Sequence, residues 1–156
     1  MKHRIMFRGY NLKNKKWLYG YYLVNRGKSY IVYDEVVDPF AVPEDFEVAP
    51  ESVGQYVGDY EGKAIFEGDM VRAAETDGYK AVYVGIVVYD TINSRFEINT
   101  RIQMGGLGGS EKIPITGEKQ TDQIGMGGYY DYYFQYEVIG NEYEDKMKHP
   151  DKHILK

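Results

Sequence analysis

Short runs of β-branched and aromatic residues alternate with polar, turn-forming segments along most of the chain. The first three runs occupy residues 5–7, 17–24 and 30–33, and segments rich in Asn, Lys and Gly separate them. Runs of this length between turn residues are typical of β-strands joined as antiparallel neighbours. The pattern therefore predicts that the chain begins with a three-stranded antiparallel meander.

A change of pattern between residues 34 and 50 separates the meander from the rest of the chain. This segment is acidic and contains three prolines, which lack the backbone N–H that a central strand or a helix interior requires. Strand-like runs resume in residues 53–98 and return at 136–139, whereas helix is expected only as a short turn near residues 144–148. Many short strands with frequent turns predict a mainly β fold, or an α+β fold, built as a small barrel or sandwich.

The same changes of pattern divide the chain into three predicted parts. Residues 1–50 form an N-terminal β subdomain with its connecting segment, residues 51–144 form a barrel subdomain, and residues 145–156 form a tail. Within the second part, residues 100–135 are rich in Gly and Tyr, and glycine-rich chain loses much conformational entropy when it becomes ordered. We expect this stretch to be an inserted loop or an extended hairpin.

The composition excludes several classes of chemistry and of location. The 156 residues include no cysteine, which removes disulfides, thiolate nucleophiles and thiolate-bound metal centres and fits a reducing compartment. The apolar run near the N-terminus is too short for an export signal, and the longest apolar stretch, residues 81–89, is about half the ~20 residues that cross a bilayer. We therefore expect a cytoplasmic protein that is not embedded in a membrane.

Basic residues are concentrated at the start of the chain, although the net charge is −5. Residues 1–33 contain eight of the 19 Lys and Arg residues and no Asp or Glu. Cations interleaved with aromatic rings suit nucleic acid, because the cations neutralise phosphates while the rings stack on bases. The residues proposed for such contact are Arg8, Lys13, Lys15, Lys16, Trp17, Arg26 and Lys28. The alternative, which we favour, is that the acidic residues of 34–69 neutralise this charge within the fold.

Three stretches of the sequence form a distinctive ordered set: residues 5–10 with 14–17, 48–58 with 62–71, and 137–144. The most specific stretch contains the uncommon word Val-Gly-Gln-Tyr at residues 53–56. Together these stretches resemble the YopX family, whose members are small proteins of unknown function typical of phages and prophages. The resemblance implies a β-rich fold whose C-terminal part is similar to an SH3-type barrel, and it names no reaction. Residues 101–135 are longer and richer in Gly and Tyr than the family pattern implies.

Two carboxylates, Glu67 and Asp69, lie close together with Asp59 and Glu61 nearby, as acid–base or magnesium chemistry requires. A carboxylate pair around a glycine is also typical of a turn between strands. We favour the turn because no partner base, nucleophile or positioned His is identifiable. The glycine-rich segment 105–112 lacks the spacing and the strand–helix flanks of a phosphate-binding loop, so it is interpreted as a flexible loop.

His149 and His153 are four residues apart, the spacing that places two imidazoles on one face of a helix for metal binding. Pro150 lies between them and disfavours a continuous helix, and the sequence offers no clear third or fourth ligand. We favour a solvated tail, and we expect neither a metal nor a cofactor.

The densest aromatic cluster lies at residues 129–136, in a chain with 17 tyrosines. A tyrosine ring offers a large rigid surface together with a hydroxyl group, a combination that suits protein–protein contact. The residues proposed for such contact are Tyr129, Tyr130, Tyr132, Tyr133 and Phe134. The alternative is a two-faced strand whose rings pack on both sides within the fold.

The sequence contains no recognisable catalytic constellation, so the functional hypotheses concern binding. The leading one is a non-catalytic binding or assembly protein of the phage or prophage type, acting in the bacterial cytoplasm. It would contact a protein partner, or form homo-oligomers, through the Gly- and Tyr-rich segment. The alternative is a nucleic-acid-binding accessory protein that uses the basic, aromatic N-terminal hairpin.

Overall fold

The computed structural model describes residues 6–33, 44–104 and 112–150, without the side chains of residues 101–104. The chain divides into two compact units, Met1–Val57 and Gly58–Lys156. The described residues lie mainly in antiparallel β-sheet, which confirms the predicted mainly β class.

The first unit is built on one antiparallel sheet. Its strands are β1 (Phe7–Asn11), β2 (Lys16–Asn25), β3 (Lys28–Val32), β4 (Glu47–Val48) and β5 (Gly54–Tyr60), and 3₁₀ turns cover Glu44–Phe46 and Pro50–Ser52. The strand order is β4-β3-β2-β1-β5. The strands β1, β2 and β3 are consecutive antiparallel neighbours, as the alternation of apolar runs and turns predicts.

One face of this sheet forms a small core because side chains alternate between the two faces of a strand. The residues of this core are Leu18, Ile31 and Val48, with Phe7 and Val53 packed against them. Gly9 lies beneath the core, and a Cβ atom there would stand 2.7 Å from Cγ2 of Val48. Glycine at this position is therefore what allows β1 to approach Val48.

A buried amide connects β1 with the segment that leads into β4. The Asn11 side chain is buried, and its Nδ2 donates to the carbonyl oxygens of Asp45 and Glu47, both at 2.9 Å. Its Oδ1 accepts a hydrogen bond of 2.6 Å from the backbone N–H of Asn14, which closes the turn between β1 and β2. One side chain thus fixes two separate backbone segments.

The second unit contains a five-stranded antiparallel sheet and a separate hairpin. Its elements are β6 (Lys63–Phe66), β7 (Asp69–Glu75), β8 (Val82–Asp90), β9 (Arg95–Met104), β10 (Lys112–Pro114), β11 (Gln120–Gln123), β12 (Tyr129–Tyr132), β13 (Phe134–Asn141) and helix α1 (Glu142–Lys148). The five-stranded sheet has the order β10-β9-β8-β7-β13, and β11 pairs with β12 alone. Strand β6 is the neighbour of β5, whose residues from Gly58 onward belong to this unit.

The sheets of the described residues are open rather than closed into a barrel, so the SH3-like barrel is not confirmed. The core of the second unit includes Val71, Ala73, Val87 and Ile98, which are fully buried. Within the predicted insertion, residues 100–135, the structure has the end of β9, the short strand β10 and the β11–β12 hairpin. The glycine-rich segment 105–111 lies outside the described residues.

The predicted C-terminal helical turn is present as α1. The Asn141 side chain caps this helix by accepting a hydrogen bond of 2.8 Å from the backbone N–H of Glu144. The helix ends before His149, whose backbone is not helical, and His153 lies outside the described residues. Among the helices of the described ranges, none is long and apolar enough to cross a membrane.

Candidate interaction surfaces

We call residues 120–132 the arm: they comprise β11, a glycine-rich turn and β12, paired from Gln120–Tyr132 to Gln123–Tyr129. The turn is closed by hydrogen bonds from the N–H of Ile124 to the Gly128 carbonyl (2.8 Å) and from the N–H of Gly127 to the Ile124 carbonyl (2.9 Å). Gly128 has φ +137, a backbone conformation that is open essentially only to glycine. The glycines of this turn therefore serve a hydrogen-bonded structure.

Alternate residues of the arm and of β13 point their rings to one side and form a continuous row of edge-on and tilted aromatic contacts. The consecutive pairs, with ring-centroid distances, are Tyr79–Tyr130 (5.6 Å), Tyr130–Tyr132 (5.5 Å), Tyr132–Phe134 (5.3 Å), Phe134–Tyr136 (6.0 Å) and Tyr136–Tyr60 (5.0 Å). Three of the five residues predicted to contact a partner thus pack within this unit. The rings on one side of the strand therefore pack, whereas packing on both sides is not seen, because Tyr129 and Tyr133 are exposed.

The other positions of the cluster and the turn of the arm face solvent. Tyr129 is 73% exposed, Met126 at the apex of the turn is fully exposed, and Ile124 is 45% exposed. We call these three residues the tip. Tyr133, between β12 and β13, is also more than half exposed. A hydrogen-bonded turn that holds an apolar cluster in water is typical of a surface that contacts another macromolecule.

The arm docks on the turn that follows β7. Thr76 forms two hydrogen bonds of 2.9 Å with Tyr133, one from its own N–H to the Tyr133 carbonyl and one in which its hydroxyl accepts from the Tyr133 N–H. The Tyr130 ring packs against Gly78, where a Cβ atom would stand only 1.9 Å from the ring. Gly78 also has φ +69, so two independent features require glycine there.

Glu75, at the end of β7, is a carboxylate buried under the arm with only 6% of its surface exposed. Its Oε2 accepts a hydrogen bond of 3.2 Å from the backbone N–H of Ala81, and the Tyr130 hydroxyl donates to the same carboxylate. Burial raises the pKa of Glu75, and the nearby Asp122 carboxylate raises it further, against the opposing effect of the two donors. Burial also raises the pKa values of the Tyr130 and Tyr132 hydroxyls.

The charges on and beside the arm are mainly acidic. Lys119 forms an ion pair with Asp131 at 3.6 Å, and the Thr121 hydroxyl donates a hydrogen bond of 2.7 Å to the same carboxylate. Both contacts lower the pKa of Asp131, and the hydrogen bond has the larger effect. Glu118 and Asp122 form no ion pair with the described residues. Two carboxylates near the arm are therefore free of a neutralising cation within that part of the chain.

The basic residues of the first unit are partly neutralised within it. Lys13 lies 4.0 Å from a Glu44 carboxylate oxygen and 3.7 Å from one of Asp45, and Lys28 lies 3.7 Å from one of Glu47. The alternative interpretation, that acidic residues offset the basic ones, thus applies to these two lysines. A half-open cavity of about 350 Å³ beside the β1–β2 turn is lined in part by the same paired side chains.

The cations Lys15, Lys16 and Arg26 form no ion pair with described residues. Arg8 is buried, and its guanidinium lies 4.7 Å from the Trp17 ring centroid in a cation–π contact. On the face of β2 opposite the core, Trp17 is followed by the exposed rings of Tyr19 and Tyr21. The structure thus places a row of aromatic rings between cations, at the two ends of β2, that have no ion pair within the described part of the chain.

Glu67 lies in the turn between β6 and β7, and Asp69 is the first residue of β7. The Asp69 carboxylate is buried and accepts a hydrogen bond of 2.8 Å from the backbone N–H of Phe66, while Gly68 between them has φ +91. These contacts are those of a strand-to-strand turn. Among the residues that the structure describes, no three His, Asp or Glu side chains are arranged to hold a metal ion.

The comparison with family models matches residues 6–147 of this chain to the model described as YopX protein. The chain belongs to the YopX family. No curated protein and no solved structure matches it.

Two features of this YopX-family protein escaped the sequence analysis. Met126 and Ile124 were not among the predicted contact residues. The signal that could have indicated them is Met126 itself, an apolar residue between Gly125 and Gly127 in a turn, where no neighbouring side chain would cover it. Glu75 was missed because a glutamate within a strand is usually solvated, and its burial depends on an arm that begins 45 residues later.

Proposed function

We propose that this YopX-family protein is a non-catalytic binding protein that engages a partner protein through the tip of the arm. The proposal rests on one observation: a hydrogen-bonded turn, anchored by a row of packed aromatic rings, holds Ile124, Met126 and Tyr129 in solvent. Preorganised aromatic and methionine side chains lose little conformational entropy on binding and fill apolar pockets well. Membership of the YopX family supports a role in phages or prophages.

The negative charges beside the tip indicate which charge the partner's binding surface should have. Glu118 and Asp122 lack ion pairs among the described residues, and the chain as a whole has a net charge of −5. A partner with an apolar pocket rimmed by Lys or Arg residues complements both features. Self-association of this acidic surface would instead bring like charges together, so we favour a different protein as the occupant.

The double variant Met126→Ser and Tyr129→Ser tests the proposal. Both side chains are exposed, so the variant keeps the fold, and its dissociation constant for a captured and purified host protein is expected to rise about tenfold or more. Isothermal titration calorimetry provides the measurement, and sedimentation velocity shows whether the partner is a second copy.

Ile92→Ser is the matched control, because Ile92 is 87% exposed in the turn between β8 and β9 of the same unit. Its dissociation constant should equal that of the wild type. Equal binding by the wild type and the tip variant would contradict a role for the tip, as would loss of binding in both variants.

A nucleic-acid-binding role is the second candidate, and the aromatic row on β2 favours it. Tyr19 and Tyr21 are exposed on the same face as Trp17, with Lys15 and Lys16 at one end of the strand and Arg26 at the other, none of which forms an ion pair with residues that the structure describes. Bases of a single strand stack on such rings. Binding of labelled oligothymidine at low salt, followed by fluorescence anisotropy, should weaken about fivefold or more in Tyr19→Ala with Tyr21→Ala.

The control for this test is Tyr89→Ala, which removes an exposed ring from the second unit. Binding should be unchanged in the control and should fall steeply with added salt, since neutralised phosphates release counterions. Absence of binding by the wild type at low salt, or equal weakening in both variants, would remove this candidate.

A further inference from the structure

We infer that the arm is a releasable element, and that the negative charge of the buried Glu75 carboxylate opposes its docking on the second unit. The inference concerns the regulation of the surface proposed above and rests on that function for its role. Its physical content, however, depends only on the contacts between the arm and the turn after β7. Release of the arm would expose the inner rings of Tyr130 and Tyr132 in addition to the tip.

The arm depends on docking for its structure. Strands β11 and β12 pair only with each other and stand outside the five-stranded sheet. A two-stranded hairpin alone is marginally stable in water, so the arm is ordered by what it packs against. Among the described residues its anchors are the Tyr130 ring on Gly78 and the row of aromatic contacts, and the two Thr76–Tyr133 hydrogen bonds hold the residue directly after it. Elements held by so few contacts open locally without unfolding the whole domain.

The surface on which the arm docks contains the Glu75 carboxylate, and the Asp122 carboxylate of the arm lies near it. From the arm, the groups that face Glu75 are Asp122, Tyr130 and Tyr132, and from the turn after β7 it is the backbone N–H of Ala81. The residue opposite Glu75 on β13 is the uncharged Phe134. Among these described groups there is no cation. The buried Glu75 carboxylate therefore accepts from two donors, the Ala81 N–H and the Tyr130 hydroxyl, and is repelled by the Asp122 carboxylate.

The balance of these effects determines how the charge acts on the arm. Burial beneath the arm and repulsion by Asp122 both disfavour the charged form of Glu75, and only the Tyr130 hydroxyl favours it from the arm side. The docked state therefore binds a proton more tightly than the released state, in which Glu75 is hydrated. Docking is strongest below the ordinary glutamate pKa and weakens as the pH rises through the raised pKa of the docked state.

Amide hydrogen exchange measured by NMR tests the inference on the full chain without any partner. At neutral pH the amides of the arm should exchange several-fold more slowly in Glu75→Gln than in the wild type, while those of β8 and β9 are unchanged. Glutamine keeps the volume and can still accept from Ala81 and Tyr130, but it has no charge. Because both proteins are compared at the same pH, the intrinsic exchange rate cancels, and the difference should shrink in acid, where Glu75 is protonated.

Asp122→Asn provides a second variant that leaves the Ala81 and Tyr130 contacts of Glu75 intact. It should slow exchange of the arm in the same direction, whereas Glu118→Gln, which changes an exposed carboxylate not among those that face Glu75, should have no effect. Equal or faster exchange of the arm in Glu75→Gln would overturn the inference. A tip that binds no partner would refute the proposed function and leave these exchange rates as expected, so the two failures are distinguishable.

Discussion

Single residues with buried polar groups organise both units. Asn11 uses its one amide to satisfy two carbonyls and one N–H, and the Tyr136 hydroxyl both accepts from the Thr116 N–H (3.0 Å) and donates to the Thr116 carbonyl (3.1 Å). The sequence shows such residues but not their partners, which lie 34 and 36 positions away for Asn11 and 20 for Tyr136. Buried polar groups of this kind are costly when they lose their partners.

Replacement of Asn11 by Ala should lower the free energy of unfolding by about 1–3 kcal/mol, because the carbonyls of Asp45 and Glu47 would lose their donor. Urea denaturation followed by Trp17 fluorescence measures the loss, since Trp17 is the one tryptophan of the chain. The control Asn14→Ala removes an exposed side chain and should change the stability by less than about 0.5 kcal/mol. Equal effects in the two variants would contradict the role of Asn11.

Tyr136 should titrate late. Burial raises its pKa to about 12, so the folded state favours the protonated phenol. The stability it contributes is present below the ordinary tyrosine pKa of 10.0 and falls as the pH rises toward about 12. Tyrosinate absorbance should show one late-titrating group fewer in Tyr136→Phe than in the wild type, in which the pKa values of Tyr60, Tyr130 and Tyr132 are also raised. Identical titration curves for the two proteins would contradict this.

At the level of elements, the sequence predicts strands well where a run of apolar residues ends in turn residues. The hairpin of β1 and β2, the strand β3 and the pair β8 and β9 all follow this rule. The arm does not, because β11 (Gln-Thr-Asp-Gln) contains polar residues only and is a strand through pairing with β12. The pairing of β11 with β12 and the packing of the arm depend on residues distant in sequence, so the local sequence pattern does not predict them.

The helix α1 depends on its cap, because seven residues are too few for stability on their own. Asn141→Ala should lower the free energy of unfolding by about 1 kcal/mol and speed amide exchange in the first turn of α1. Asn141→Ser retains a capping oxygen and should recover most of the loss. A serine variant as destabilised as the alanine variant would show that the contribution of Asn141 is not capping.

At the scale of the whole molecule, the charge asymmetry of the sequence is reduced rather than removed by folding. Residues 1–57 hold eight basic and seven acidic residues, which leaves 19 − 8 = 11 basic and 24 − 7 = 17 acidic residues for residues 58–156. The exposed pairs of Lys13 and Lys28 contribute little to stability, but they cancel part of the local positive field. The sequence therefore predicts where the basic residues are concentrated, whereas the structure shows which of them form ion pairs with other described residues.

Of the three tip residues, Tyr129 was among those predicted from the sequence, whereas Ile124 and Met126 were not. Alternation along 129–136 indicates that one set of rings packs and the other is exposed, yet nothing local says which. Tyr60 and Tyr79, which complete the packed row, are far away in sequence and decide the matter. The candidate contact surface is therefore not the centre of the tyrosine cluster, as predicted, but its edge at Tyr129 together with Met126.

Site-specific photo-crosslinking at position 126, in cells that produce the protein, tests the tip most directly. A crosslinking amino acid at this fully exposed apex should join the chain to one discrete partner protein, and the same amino acid at position 92 should not. The crosslinked peptide of the partner should come from an apolar pocket with Lys or Arg residues at its rim. No adduct at position 126, or the same adducts at both positions, would contradict the account.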